Sequence, residues 1–191
     1  MENNTQTPEP VKQKKTPRPK YKSRAARCGE ATGTLNMAAE DIREISDDIE
    51  AAIEEFDGNS ETGNNENLDK ETTERIQEMV ARVNTHLSDV ENAKGELEGL
   101  QEEMESWRDN MQGTNLESTD KYSRVDEAAS NLESAVSSLD NIGEPSTPEA
   151  KDGIMNKQEV TDYGEELSQI ADDIESAASD AESVEFPGMF G

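Results

Sequence analysis

Paired carboxylates are the most frequent arrangement in this chain that could do chemistry. Two neighbouring carboxyl groups act as acid and base only where a pocket moves their pKa values apart. Because most of these pairs fall outside the apolar seams of the predicted helices, we expect them to be exposed and solvated. The sequence therefore predicts no catalytic residue and no enzyme activity. The pairs are Asp47-Asp48, Glu54-Glu55, Glu102-Glu103 and Asp172-Asp173.

One cysteine and one histidine leave few groups for nucleophilic catalysis or metal binding. Cys28 continues the apolar register of the first predicted helix, so we expect a buried small side chain rather than a nucleophile. His86 lies on the apolar seam of the second predicted helix and has no cysteine or carboxylate at ligand spacing, so we expect a structural role. Neither a metal site nor a cofactor site is predicted.

Residues 57–68 hold Asp and Asn at alternate positions, as calcium-binding EF-hand loops do. The central position, which needs glycine, holds Thr62, and the position of the bidentate glutamate holds Leu68. We therefore interpret residues 57–67 as a flexible connection between two helices.

The net charge changes sign along the chain. Residues 1–27 carry eight basic residues against Glu2 and Glu9, a charge of +6, and since the total is −27 the remainder carries −33. Four prolines and very few apolar side chains predict that residues 1–21 form a disordered arm. The basic side chains are candidate contacts for phosphate or another anionic partner, and the alternative is that they lie against the protein's own acidic body. They are Lys12, Lys14, Lys15, Arg18, Lys20, Lys22, Arg24 and Arg27.

The C-terminal end combines acidic and aromatic residues. The sequence FPGMFG follows an acidic helix, and residues 187–191 are predicted to form an apolar tail. This end resembles the acidic-then-aromatic tails with which single-stranded-DNA-binding proteins recruit partners. The resemblance implies a partner motif formed by Phe186, Met189 and Phe190. The alternative is that Phe186 and Phe190 cover the end of the helical bundle.

The elements that must position these residues are helices. Apolar residues between Ile76 and Met111 recur at alternating steps of three and four over about five heptads, which is the pattern of a long helix packed lengthwise against others. Similar seams predict three further helices. The predicted helices cover about 22–57, 69–112, 119–141 and 158–184. The seam residues of the long helix are Ile76, Met79, Val83, His86, Val90, Ala93, Leu97, Leu100, Met104, Trp107 and Met111.

A short connection, residues 113–120, predicts that the third helix folds back antiparallel onto the second. Four side chains are then expected to meet at the tip of this hairpin and lock it. We expect the first helix to pack on one half of the long helix and the hairpin helices on the other half. Periodicity leaves open whether the bundle is closed or an open rod. The residues expected to lock the hairpin are Trp107, Met111, Leu116 and Tyr122.

Composition agrees with an elongated all-α bundle or antiparallel coiled coil. Hydrophobic residues make up 30% of the chain and aromatic residues 4%, which suits narrow seams shared between helices better than a thick core. A single cysteine excludes an intrachain disulfide. The N-terminus has no apolar signal segment, and no apolar run approaches the ~20 residues that span a bilayer. We expect a cytoplasmic protein without a membrane partner.

The hairpin segment from Trp107 to Tyr122 resembles a hairpin of small uncharacterised acidic proteins of tailed bacteriophages. The resemblance covers residues 100–135, and the basic arm and the first helix lie outside it. It implies a viral accessory protein in the host cytoplasm and carries no activity with it.

These patterns predict a non-enzymatic interaction protein that binds a protein partner through its helix faces or its acidic surface. An acidic rod could also mimic the charge of DNA and inhibit a host DNA-binding protein. A third hypothesis is a nucleic-acid-associated protein that contacts phosphates through the basic arm. Self-association through the apolar seams remains a further alternative.

Overall fold

The computed structural model describes residues 22–59 and 66–188, and this part of the chain is all-helical. Each helix begins and ends within two residues of the predicted range. The predictions for residues 1–21 and for residues 189–191 lie outside the described part. The helices are α1 (Arg24–Asn59), α2 (Lys70–Met111), α3 (Asp120–Asp140) and α4 (Lys157–Glu182).

Side-chain caps explain where the four helices begin. A free backbone N–H in the first turn donates to an oxygen of the residue just before each helix. The Asp69 carboxylate, for example, accepts from Thr72 N at 2.7 Å, and this bond lowers the pKa of Asp69. The capping residues are Ser23, Asp69, Thr119 and Asn156.

Consecutive helices run antiparallel and close into a four-helix bundle. Within the described part, α1 packs against α2 and α4, and α3 packs against the same two helices from the other side, without contacting α1. The bundle is therefore closed rather than an open rod.

The first helix covers more of α2 than the sequence suggested. Arg24 pairs with Glu103 at one end of the contact, and Arg75 of α2 pairs with Glu55 at the other. The expectation that α1 packs on only one half of α2 is therefore wrong. A 36-residue helix that runs antiparallel to a 42-residue helix can cover most of it.

The third helix covers only the C-terminal half of α2, from Arg108, which pairs with Asp126, to Lys94, which pairs with Asp140. Residues 141–156 continue in its place along the other half. In this segment Pro148 and Met155 are buried, and Met155 O accepts from Leu68 N at 3.0 Å. An extended segment thus completes the bundle where α3 ends.

A tight turn shapes this segment. Lys151 and Ile154 exchange two backbone hydrogen bonds of 2.9 and 3.1 Å, and the residues between them, Asp152 and Gly153, both have positive φ, at 55° and 79°. Two consecutive left-handed residues characterise the type I′ turn, for which Asp-Gly is a preferred sequence.

The core follows the predicted seams. Nine of the eleven seam residues predicted for α2 are buried, and the other two, His86 and Trp107, are partly buried. Cys28 is 4% exposed, and its thiol donates to the carbonyl of Ala181 at 3.4 Å, which confirms the prediction that it is buried. His86 Nδ1 lies 3.4 Å from Asp41 Oδ2, so it contributes to the contact between α1 and α2.

Small side chains let α1 and α4 approach closely. The Ser46 hydroxyl donates to the carbonyl of Gly164 at 2.7 Å, and a Cβ added at Gly164 would lie 3.4 Å from Ile49 Cγ2. Seven alanines along the two helices are also buried, which explains how a chain with few large apolar residues still forms a buried core. They are Ala38, Ala39, Ala52, Ala171, Ala177, Ala178 and Ala181.

The two glycines inside α2 behave differently. A Cβ at Gly99 would lie 3.8 Å from the Arg27 guanidinium, whereas a Cβ at Gly95 would meet nothing within 4 Å. A side chain at position 99 would therefore make ordinary van der Waals contact with α1, and one at position 95 would not.

We predict that Gly153→Ala lowers the free energy of unfolding by about 1–2 kcal/mol, because an L-residue is strained in the left-handed backbone. Urea unfolding followed by circular dichroism measures the change. Gly143→Ala, in the same connection but without positive φ, is the control and should stay within about 0.5 kcal/mol of the parent. Equal losses in both variants would contradict the assignment of the turn.

Candidate functional site

Several of the predicted site residues meet where α1 begins, α2 ends and α3 begins. We call this cluster the arginine–tryptophan junction. It consists of Arg24, Arg27, Glu96, Glu103, Trp107 and Lys121.

Trp107 is the centre of the junction. The Arg24 guanidinium carbon lies 5.2 Å from the centroid of its ring, and Lys121 Nζ lies 5.3 Å from it. Both distances are within the range of cation–π attraction. Arg24 also donates from Nε to Glu103 at 2.7 Å. Trp107 therefore links the first turn of α1 to the first turn of α3.

Arg27 makes the second set of contacts in the junction. Its guanidinium donates to Glu103 and to Glu96, which lie about two turns apart on α2. These bonds raise the pKa of Arg27, and the bond from Arg27, followed by the bond from Arg24, holds the pKa of Glu103 below its usual value. Glu103 thus receives two arginines at once.

Three of the eight basic residues predicted to contact an anionic partner form ion pairs within the protein. Lys22 pairs with Glu30, and Arg24 and Arg27 pair with carboxylates of α2. For these three residues the structure favours the alternative in which basic groups lie against the protein's own acidic body. The other five candidates are outside the described residues. They are Lys12, Lys14, Lys15, Arg18 and Lys20.

The four residues predicted to lock the hairpin have different environments. Met111 is 3% exposed, Trp107 packs against the core, and Tyr122 accepts a hydrogen bond from Gln112 at 3.2 Å. Leu116 is 47% exposed, so its predicted part in locking the hairpin is wrong.

Hydrogen bonds, rather than packing of Leu116, stabilise the connection between α2 and α3. Within the connection, Gly113 N donates to Glu117 at 2.8 Å and Thr119 Oγ1 donates to the carbonyl of Leu116 at 2.6 Å. Such local bonds satisfy the turn without apolar contact. The contact of Lys121 with Trp107 was not predicted from the sequence, although Lys121 lies in the first turn of α3, next to the hairpin connection.

The C-terminal candidates are described only in part. Phe186 is partly buried and packs against the core. This contact favours the alternative in which the aromatic end covers the bundle. Met189 and Phe190 lie outside the described residues.

A second surface stands out by its charge. We call it the α1–α4 face, since helical periodicity places its carboxylates along the groove between these helices. Arg43 is its cation, and this arginine already pairs with Asp172 and Glu175 at 2.8 Å each. The carboxylates of the face are Glu40, Asp47, Glu50, Glu54, Glu165, Asp172, Glu175 and Glu182.

Groups that could support catalysis are poorly placed in the described part. No carboxylate there is buried, and no cluster of His, Cys, Asp and Glu is arranged to hold a metal ion. Burial raises the pKa of the Cys28 thiol, with a smaller effect from Glu182, which disfavours a thiolate nucleophile. Burial also raises the pKa of Tyr163 to about 12, so this hydroxyl stays protonated at neutral pH.

Comparisons with protein-family models, curated proteins and solved structures gave no match for this chain. None of the four described helices combines the length and the apolar character needed to cross a bilayer.

We predict that Glu103→Gln lowers the free energy of unfolding at neutral pH by up to about 1 kcal/mol, since the pair is partly exposed and screened by solvent. A lowered pKa means that the ionised group stabilises the fold above its unfolded pKa of about 4.3 and that this stabilisation is lost as pH falls through the folded pKa. The difference between parent and variant should therefore shrink in acid, as measured by thermal melting over a pH series.

The control for this prediction is Glu102→Gln, an exposed neighbour on α2 that forms no ion pair with a described residue. It should change stability little at any pH. A Glu103→Gln deficit that is the same at neutral and acid pH would contradict a charge-dependent role.

Proposed function

We propose that this chain is a non-enzymatic helical interaction protein that binds a partner protein with a basic surface through the α1–α4 face. The proposal rests on one observation: acidic side chains are paired with basic ones at the α1–α2 contact but mostly not on the α1–α4 face. The described residues hold 42 of the chain's 45 acidic residues and 13 of its 18 basic residues, a formal charge of −29.

The contact between α1 and α2 is well compensated. Arg75 and Arg82 of α2 pair with Glu55 and Asp48 of α1, and His86 lies beside Asp41. Arg24 and Arg27 add pairs at the other end of this contact. The contact between α1 and α2 therefore carries little net charge.

The α1–α4 face has few cations to compensate it. No Lys, Arg or His occurs from Glu44 to Asn59 in α1, or from Gln158 to Glu182 in α4. Of the eight carboxylates of this face, Asp172 and Glu175 pair with Arg43, and Lys157 pairs with Asp57 at one end of the contact. A surface of one sign raises the local potential and steers a partner of opposite charge.

A partner that normally binds DNA is the second candidate, because a row of carboxylates can occupy a basic cleft as phosphates do. The same face supports both forms of the proposal. The nucleic-acid-binding hypothesis is less favoured, since the described basic residues of its site are paired internally. The bacteriophage origin implied by the hairpin stays a prediction.

The proposal predicts that reversing charge on the α1–α4 face abolishes partner capture. We would compare the full chain with the variant Glu40→Lys/Glu50→Lys/Glu165→Lys in affinity capture from lysate of the cells that naturally contain the protein, after nuclease treatment. The parent should retain a basic protein that the variant loses, and retention should fall with salt because charges are screened.

The matched control is Glu127→Lys/Glu133→Lys/Glu149→Lys, which makes the same charge change on exposed residues of α3 and the following segment. It should retain the partner. Displacement of the captured protein by duplex DNA would identify the DNA-mimic form. Equal capture by both variants, or capture that needs residues 1–21 or nucleic acid, would overturn the proposal.

A further inference from the structure

The first ten residues of α1 are attached to the bundle differently from the rest of the helix. From Leu35 onward, α1 buries large side chains, including Ile42, Ile45 and Ile49, each no more than 1% exposed. Before Leu35, the buried side chains are small: Cys28, Ala31 and Thr32. Apolar burial stabilises roughly in proportion to its area, so this part gains much less from the core.

The same ten residues are weak as a helix. They contain Gly29 and Gly33, and glycine has the lowest helix propensity after proline. A Cβ at either position would meet nothing within 4 Å. Close packing therefore does not require glycine here, and its effect on the segment is to weaken the helix.

Charged contacts replace the missing apolar ones. Arg24 and Arg27 donate to Glu103, Arg27 also donates to Glu96, and Arg24 lies over Trp107. The carboxylates are 38% and 42% exposed, so water and salt reach these pairs. Contacts of this kind hold a segment in place but are weaker than core packing and are screened by ions.

We propose that residues Arg24–Gly33 form a latch, a segment that detaches from α2 and from the C-terminal end of α4 while the rest of the bundle stays folded. The arginine pairs with Glu96 and Glu103 hold it closed. Its position at the start of α1 means that it opens without breaking the helix contacts beyond Leu35. Opening releases Arg24 and Arg27 from their carboxylate partners on α2.

Cys28 provides a direct measure of opening. It is the chain's only cysteine, and it is 4% exposed with its thiol on the carbonyl of Ala181. A reagent in solution therefore reaches it only when the latch opens. The experiment is the rate of reaction of the full chain with 4,4′-dithiodipyridine, a neutral disulfide that is not repelled by the acidic surface.

The variant Glu96→Gln/Glu103→Gln removes the carboxylates that close the latch. We expect labelling of Cys28 to become about five- to tenfold faster, since each partly exposed ion pair contributes modestly. The control variant Glu98→Gln/Glu102→Gln makes the same charge change on exposed positions of α2 and should label at the parent rate. Added salt should speed labelling of the parent more than labelling of Glu96→Gln/Glu103→Gln.

A second variant separates local opening from unfolding of the whole bundle. Val160→Ala removes buried apolar contact in the first turn of α4, next to the Lys157–Asp57 pair at the opposite end of the bundle from the latch, and should lower global stability in urea. It should leave the labelling rate within about twofold of the parent if opening is local. Two outcomes would overturn the proposal. One is a labelling rate that rises in step with the loss of global stability, and the other is a Glu96→Gln/Glu103→Gln rate equal to that of the parent.

Discussion

The close contact between α1 and α4 is the constraint on which the rest of the structure depends. It joins the first and last helices and turns a linear series of antiparallel helices into a closed ring. Gly164 packs against Ile49 of α1, Ser46 donates to the carbonyl of Gly164, and buried alanines lie along both helices. Because only 30% of residues are hydrophobic, a core made of thin seams must be closed on all sides to exclude water.

Closing the ring concentrates negative charge. Two helices with long cation-free stretches become neighbours, and Arg43 pairs with only two of the carboxylates along their groove, Asp172 and Glu175. Opposing cations on α2 relieve the same repulsion at the contact of α1 with that helix. The proposed partner surface is therefore a consequence of which helices are adjacent. A basic partner on the α1–α4 face would supply the charge that the protein itself lacks there.

The arginine–tryptophan junction shows how far sequence reasoning reached at the site. Trp107 and Met111 were identified from the seam of α2, and the basic residues from their charge. Their contacts were not predictable, because Arg24 meets Glu103 across 79 positions of sequence. Leu116 was misjudged because an apolar residue in a turn can remain exposed when polar bonds already satisfy the backbone.

The sequence by itself determined the helices, since periodicity, caps and turn residues act over a few positions. The seam from Ile76 to Met111 required no tertiary information, and the caps Asp69 and Asn156 bond only to the first turns of their own helices. Tertiary structure alone decided that α1 covers most of α2, that residues 141–156 complete the bundle, and which carboxylates remain uncompensated. Those outcomes depend on contacts between residues far apart in the chain, such as Ser46 and Gly164, whose pairing no local pattern encodes.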